Sequence, residues 1–185
     1  MRTVKFGMNI SLDGYCDHTI GIPSEELMDY FTDMMDDVDL IFYGRVMYQL
    51  MFPYWADVAR DQSGSPAENR FAERLCATDR VVVSTTLGSP DPKTQIARAN
   101  PAEELLRLKK QPGKTISVDT VSMLPEFVKA GLIDEFYLVV HPVIAGQGRP
   151  LFPAGSLTDF LKLKLIHTRT FENGCVAHHY ARKLS

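Results

Sequence analysis

The stretch Val4-Lys5-Phe6-Gly7-Met8-Asn9-Ile10-Ser11-Leu12-Asp13-Gly14 alternates along its length. Val4, Phe6, Met8, Ile10 and Leu12 fall on one side, Lys5, Gly7, Asn9 and Ser11 on the other. A period of two is that of a half-buried β-strand, and Asp13-Gly14 closes it with a turn. The period then changes. Leu27, Met28, Phe31, Met34, Met35 and Val38 recur at helical spacing behind Ser24, a good N-cap, with Glu25 and Glu26 in the first turn. A strand handing over to a helix is the unit from which parallel sheets are built.

Outward from there the pattern continues. Val38 to Tyr43 is an apolar run closed by Gly44-Arg45, a buried strand; Met47 to Trp55 reads as a short helix and a loop ended around Pro53. Asp61-Gln62-Ser63-Gly64-Ser65 is the most linker-like stretch. Ser65-Pro66-Ala67-Glu68 forms a capping box with Pro at the first helical position, and Asn100-Pro101-Ala102-Glu103 repeats it for a helix ending near Gly113. Arg80 to Thr85, Thr115 to Val118 and Glu135 to His141 are strands. Ser122 caps a helix that keeps Pro125 in its first turn and closes at Gly131. After a Gly/Pro loop, Pro142 to Pro153, comes a hairpin: Leu161 to Phe171, the turn Glu172-Asn173-Gly174, and Cys175 to Arg182. The sum is about eight strands and four or so helices. It describes a three-layer α/β/α sandwich in one domain, 1–185, with a mostly parallel mixed sheet and a C-terminal antiparallel hairpin.

Composition narrows the class. Of 185 residues 45% are hydrophobic, and 20 Lys and Arg against 23 Asp and Glu give a net charge of −3, without the basic stripe of a nucleic-acid binder. No apolar run approaches the ~20 residues that span a bilayer, and the N-terminus lacks the apolar core of a signal peptide. The three cysteines, 16, 76 and 175, form no C-x-x-C pair. The expectation is a cytoplasmic protein with reduced thiols and a small-molecule ligand, and neither a nucleic-acid nor a membrane partner.

Ligands of open α/β sheets bind at the carboxyl ends of the strands. The polar residues there are Asn9, Ser11 and Asp13; Gly44 and Arg45; Ser84, Thr85 and Thr86; Asp119 and Thr120. Each also has a bland reading. Asp13-Gly14 is a good turn without any ligand, Ser84 and Thr85 are ordinary strand-end caps, and Arg45 suits a surface ion pair. The nine acids between Asp13 and Asp39, with no Lys or Arg among them, suit a solvated helix face.

Taken in order, Ser11-Leu12-Asp13-Gly14-Tyr15, Tyr43-Gly44-Arg45-Val46-Met47-Tyr48 and Val81-Val82-Val83-Ser84-Thr85 resemble the dihydrofolate-reductase-like superfamily. Gly131-Leu132-Ile133-Asp134-Glu135-Phe136, followed by Pro142, Gly146, Gly148, Leu151 and Phe152, narrows the resemblance to the reductase domain of the riboflavin-pathway deaminase–reductase. The resemblance runs from about Val4 to Tyr180 and implies an NADPH-dependent reductase of a pyrimidine- or pterin-like molecule, usually a homodimer. It places the cofactor's phosphates at Gly44-Arg45, where a forked guanidinium suits them, and at Ser84 and Thr85. Asn9, Ser11 and Asp13 fall to the substrate. Asp13 is the first choice for a proton relay and Glu26, on the first helix, its rival.

One departure matters. Relatives carry a glycine pair after the strand ending Val118-Asp119, where the backbone approaches a pyrophosphate. This chain has Thr120-Val121, which takes up that room, so the alternative is a non-catalytic small-molecule or nucleotide-binding protein on the same scaffold. No metal is expected: His178 and His179 are adjacent on a strand and point to opposite faces. Gly146-Gln147-Gly148 lacks the setting of a dinucleotide fingerprint, and Met28, Met34, Met35, Met47 and Met51 read as core filler.

Overall fold

The computed structural model describes residues 1–88 and 91–183. The alternating stretch is strand β1 (Val4–Ser11), followed by a single 3-10 turn at His18–Ile20 and helix α1 (Glu25–Met34). Then come β2 (Val38–Gly44), α2 (Arg45–Asp61), α3 (Pro66–Ala77), β3 (Asp79–Val83), β4 (Thr94–Ala97) and α4 (Pro101–Lys110). The chain continues through β5 (Thr115–Asp119), α5 (Leu124–Lys129), β6 (Glu135–His141), β7 (Leu163–Thr170) and β8 (Val176–Arg182). The strands form one sheet of eight in the order β4-β3-β2-β5-β1-β6-β8-β7. β1 to β6 are mutually parallel, while β8 and β7 are the antiparallel hairpin at one edge.

Strand parity sorts side chains onto two faces. Val4, Phe6, Phe42, Val81, Ile116 and Val118 pack with Leu105 and Leu108 of α4 and Leu124 and Phe127 of α5. Ile41, Tyr43 and Val82 pack on the other side with Tyr48 of α2 and Phe71 and Leu75 of α3. Each fully buried Phe, Leu or Ile contributes roughly 1.5–3 kcal/mol, so these two layers are the main source of stability. β1 lies between β5 and β6, and its own connection leads away to β2 on the far side of β5. The crossovers after β1 and β5 therefore diverge, which opens a crevice at the carboxyl ends of these strands.

The caps behave as the sequence suggests. Ser24 accepts from the Leu27 amide, Ser65 and Glu68 close a reciprocal capping box, and Asn100 accepts from Ala102 and Glu103. Four details differ. Ser122 caps nothing: α5 starts one residue later, behind Met123, with no side-chain cap, although Pro125 does sit in its first turn. α4 stops at Lys110, ahead of Gly113. Thr94–Ala97 is a strand with little apolar signal of its own; it pairs along β3, and Thr94 accepts a hydrogen bond from buried Arg80. Pro53 does not end a helix but sits inside the 17-residue α2. An interior proline costs about 3 kcal/mol, and the helix continues because Tyr48, Phe52 and Trp55 on it are packed into the core around Phe71.

Candidate active site

A cavity of about 370 Å³ occupies the crevice, between the sheet and helices α1 and α2. Its floor follows from strand parity: Lys5, Gly7 and Asn9 of β1 lie beside Ser117 and Asp119 of β5. Gly7 has a steric reason to be glycine, since a Cβ there would lie 3.0 Å from the Met34 methyl that roofs it. The walls are Met28, Phe31 and Met34 from α1 and Met47, Met51 and Trp55 from α2. Those methionines, read from sequence as core filler, line the cavity, and Met28 and Met47 also pack against the core. Their helical spacing is identical in the two roles, and an unbranched, polarizable side chain suits a surface that must fit a ligand. Cys16, Asp17, His18 and Arg149 stand at the mouth.

Polar groups on the floor differ in how far they are committed. Lys5 Nζ donates to the Met34 carbonyl and pairs with Asp37 at 2.5 Å, so it ties down the end of α1. Asp119 is the acid of the cavity. Burial pushes its carboxyl up to about 6 from an ordinary 3.8, partly offset by the Tyr43 hydroxyl opposite it on β2. Tyr43 is fully buried, and its hydroxyl is driven well above the usual phenol range by burial and by that carboxyl. The two groups influence each other without a well-aligned hydrogen bond, since the Tyr43 hydroxyl has no partner within bonding geometry.

Of the residues singled out from sequence, Asn9, Gly44, Asp119, Thr120 and Val121 come together in the cavity. A Cβ on Gly44 would lie 2.7 Å from Thr120 Oγ1, so the Thr120 side chain packs directly on the Gly44 backbone and both Thr120 and Val121 are buried. The others lie outside the lining. Ser11 is enclosed, donating to Asp13 at 2.6 Å and accepting from the Tyr15 amide. Asp13 accepts that bond and two more, from the amides of Ala145 at 3.0 Å and Gly146 at 2.7 Å. These donors hold its carboxyl down at about 2, so it is an ionised anchor for the Gly/Pro loop. Glu26 pairs with Arg169 of the hairpin at 2.9 Å and is also held low, chiefly by that bond. Arg45 opens α2 with no carboxylate partner among the described residues; it bonds only Gln49, at 2.9 Å. Ser84 caps the turn after β3 by accepting from the Thr86 and Leu87 amides, and Thr85 is exposed beside it.

Lys5 and Ser117 were missed, although parity with Asn9 and Asp119 was there to be used. Cys16, Asp17, His18 and Arg149 carried no sequence signal, because two loops distant in sequence bring them together: the Cys16 amide donates to the Arg149 carbonyl at 2.8 Å. Among the described residues no three His, Cys, Asp or Glu side chains converge to hold a metal ion. No described helix is long and apolar enough to cross a membrane.

The chain has relatives in sequence and in fold. The chain is 31% identical over 179 residues to the uncharacterized protein YyaP of Bacillus subtilis, covering 95% of this chain and 92% of that one. It is 31% identical over 159 residues to the uncharacterized YwjB of the same organism, covering 82% and 78%. A solved structure from Shewanella sp. PV-4, named for riboflavin biosynthesis, superposes with a TM-score of 0.72 at 20% identity, over 98% of this chain and 99% of that one. A pyrimidine reductase-like protein from Corynebacterium diphtheriae gives a TM-score of 0.64 at 16% identity, over 100% and 93%. At those identities the solved structures speak for the fold, the dihydrofolate-reductase-like sheet with its edge hairpin. The sequence pattern of the RibD C-terminal domain, by contrast, matches residues 2–177, and the chain belongs to that family.

Proposed function

We propose that the chain is an NADPH-dependent reductase that adds hydride to a C=N or C=O bond of a pyrimidine- or pterin-like molecule held in the cavity. The observation that carries this is an apolar cavity over the carboxyl ends of β1 and β5 with one acid, Asp119, in its floor, its carboxyl pushed up by burial. The residues present suit the cofactor's phosphates. No side chain caps the start of α2, and the Arg45 guanidinium is free of carboxylates among the described residues. Gly44 and Arg45 would hold the phosphates, with Thr85 exposed nearby. When bound, NADPH supplies the hydride.

The chain's own part is positioning and the proton. Trp55, Phe31 and the methionines keep water from the reacting bond and hold a planar ring against the floor. Asp119 gives its proton to the nitrogen or oxygen of the bond being reduced and is left as a carboxylate, to be reprotonated from solvent. Cytoplasmic location and a homodimer go with this proposal. Three free thiols suit a reducing compartment. Leu165 and Ile166 lie exposed on the edge strand β7, a surface suited to a second copy.

Thr120 is the observation favouring a second reading, a binding protein without catalysis, because its side chain fills the space beside Gly44. Calorimetric titration of the reduced protein with NADPH and NADH separates the two. Expected is micromolar NADPH binding, weaker for NADH and weakened about tenfold by Arg45→Ala, as for one lost charge-assisted hydrogen bond. No binding at millimolar cofactor overturns the reductase.

A further inference from the structure

His141 closes β6 beside Asn9 on the cavity face of the sheet, 1% exposed and outside the cavity lining. Its Nδ1 lies 3.1 Å from the Ile22 backbone nitrogen, which donates to it. A backbone N–H can only donate, so Nδ1 carries a lone pair. The Cys175 thiol lies on the same nitrogen at 3.1 Å; burial raises that thiol's pKa, so it too is a donor. Burial lowers the imidazole's own pKa, leaving a neutral ring with a single proton. That proton is on Nε2, which lies 3.0 Å from the Asn9 side chain.

The consequence falls on Asn9. The amide atom facing an Nε2–H must be the oxygen, since the flipped amide would set two donors against each other. Asn9 Nδ2 is then turned away from His141. It bonds no described residue and is not among the enclosed unpartnered atoms, and Asn9 lines the cavity. Resting on the cavity being the substrate site, we propose that His141 is a positioning residue. It fixes the Asn9 carboxamide with its NH2 toward the cavity, so that the occupant must offer a hydrogen-bond acceptor there. The acceptor is a carbonyl oxygen or an unprotonated ring nitrogen. The device is set by the Ile22 backbone, so it exists before any ligand arrives.

The test uses the ¹⁵N-labelled full chain without ligand. Expected are a neutral His141 ring protonated at Nε2 and an Asn9 side-chain amide whose protons exchange with water and show no contact with the imidazole. A ring protonated at Nδ1, or Asn9 amide protons lying on the imidazole, overturns the proposal. His141→Gln, whose amide can still donate to Asn9, should keep the Asn9 amide resonances, whereas a folded His141→Leu should shift or double them. Unchanged resonances in His141→Leu contradict it, and if that variant does not fold the wild-type tautomer still decides.

For the acceptor requirement, isoquinoline, neutral at pH 7.5 and carrying only an acceptor nitrogen, should bind about fivefold tighter than naphthalene, as one hydrogen bond allows, and lose that advantage in Asn9→Asp. No advantage in the wild type overturns it. The tautomer measurement is independent of NADPH, so failure of the reductase in the cofactor titration is distinguishable from failure of this device.

Discussion

Neighbouring parallel strands β1 and β5 each run out into an aspartate, and the two meet opposite conditions. Asp13, after β1, accepts three hydrogen bonds from Ser11, Ala145 and Gly146, and these hold its carboxyl at about 2. Asp119, the last residue of β5, has among the described residues only the Tyr43 hydroxyl to hold it down against burial, and its carboxyl rises to about 6. A carboxylate saturated with donors stays ionised and makes structure. One deprived of donors keeps its proton longer and can give it away. Chemical type alone does not separate them; the donors around each do.

The largest effect that can break this contrast is in Asp119→Asn. Turnover should fall about 10²-fold or more, the usual worth of a general acid, with NADPH affinity unchanged. Stability should move the other way. Because the folded pKa of about 6 lies above the ordinary 3.8, Asp119 favours folding below about pH 4, and that stability is lost as pH rises through 6. The loss is on the order of 3 kcal/mol and about half of it is present by pH 5, so Asp119→Asn should raise Tm most at pH 8 and leave it nearly unchanged at pH 3. Thermal melts at the two pH values check this, and a lower Tm at pH 8 would contradict it.

Next in size, the wild-type kcat should decline as pH rises above 6, and a pH–rate profile should lose that limb in Asp119→Asn. A smaller effect is expected from Asp13→Asn. Its folded pKa lies below the ordinary value, so its contribution is present above about pH 4 and disappears as pH falls through about 2. At neutral pH the variant should speed amide exchange at Ala145 and Gly146 and lower kcat less than tenfold. A loss matching that of Asp119→Asn would make Asp13 the acid after all. Glu26→Gln comes last: it cuts an exposed tie between α1 and the hairpin, and its turnover should equal wild type within error.

The same contrast explains what could be read from the chain beforehand. Alternation over Val4 to Leu12, the caps at Ser24, Ser65 and Asn100, and the hairpin turn at Glu172-Asn173-Gly174 are local signals, and each element formed where its signal lay. Pro53 gave a local signal that packing overrode, and β4 owes its existence to an edge offered by β3 and to Arg80. At the site, Asp13 stood out because Asp-Gly is a recognisable turn, and turn-making is what its hydrogen bonds do. Asp119 showed no motif. Its character comes from burial beside Tyr43, a relation set by the pairing of β2 with β5, and no window of sequence contains it.

The most direct measurement is an NMR titration of aspartate carboxyl carbons in the ligand-free protein. Asp119 should titrate near 6 while Asp13 stays ionised down to about 2. An Asp119 that titrates near an ordinary 3.8, or an Asp13 that titrates above it, would contradict the assignment of the acid to the end of β5.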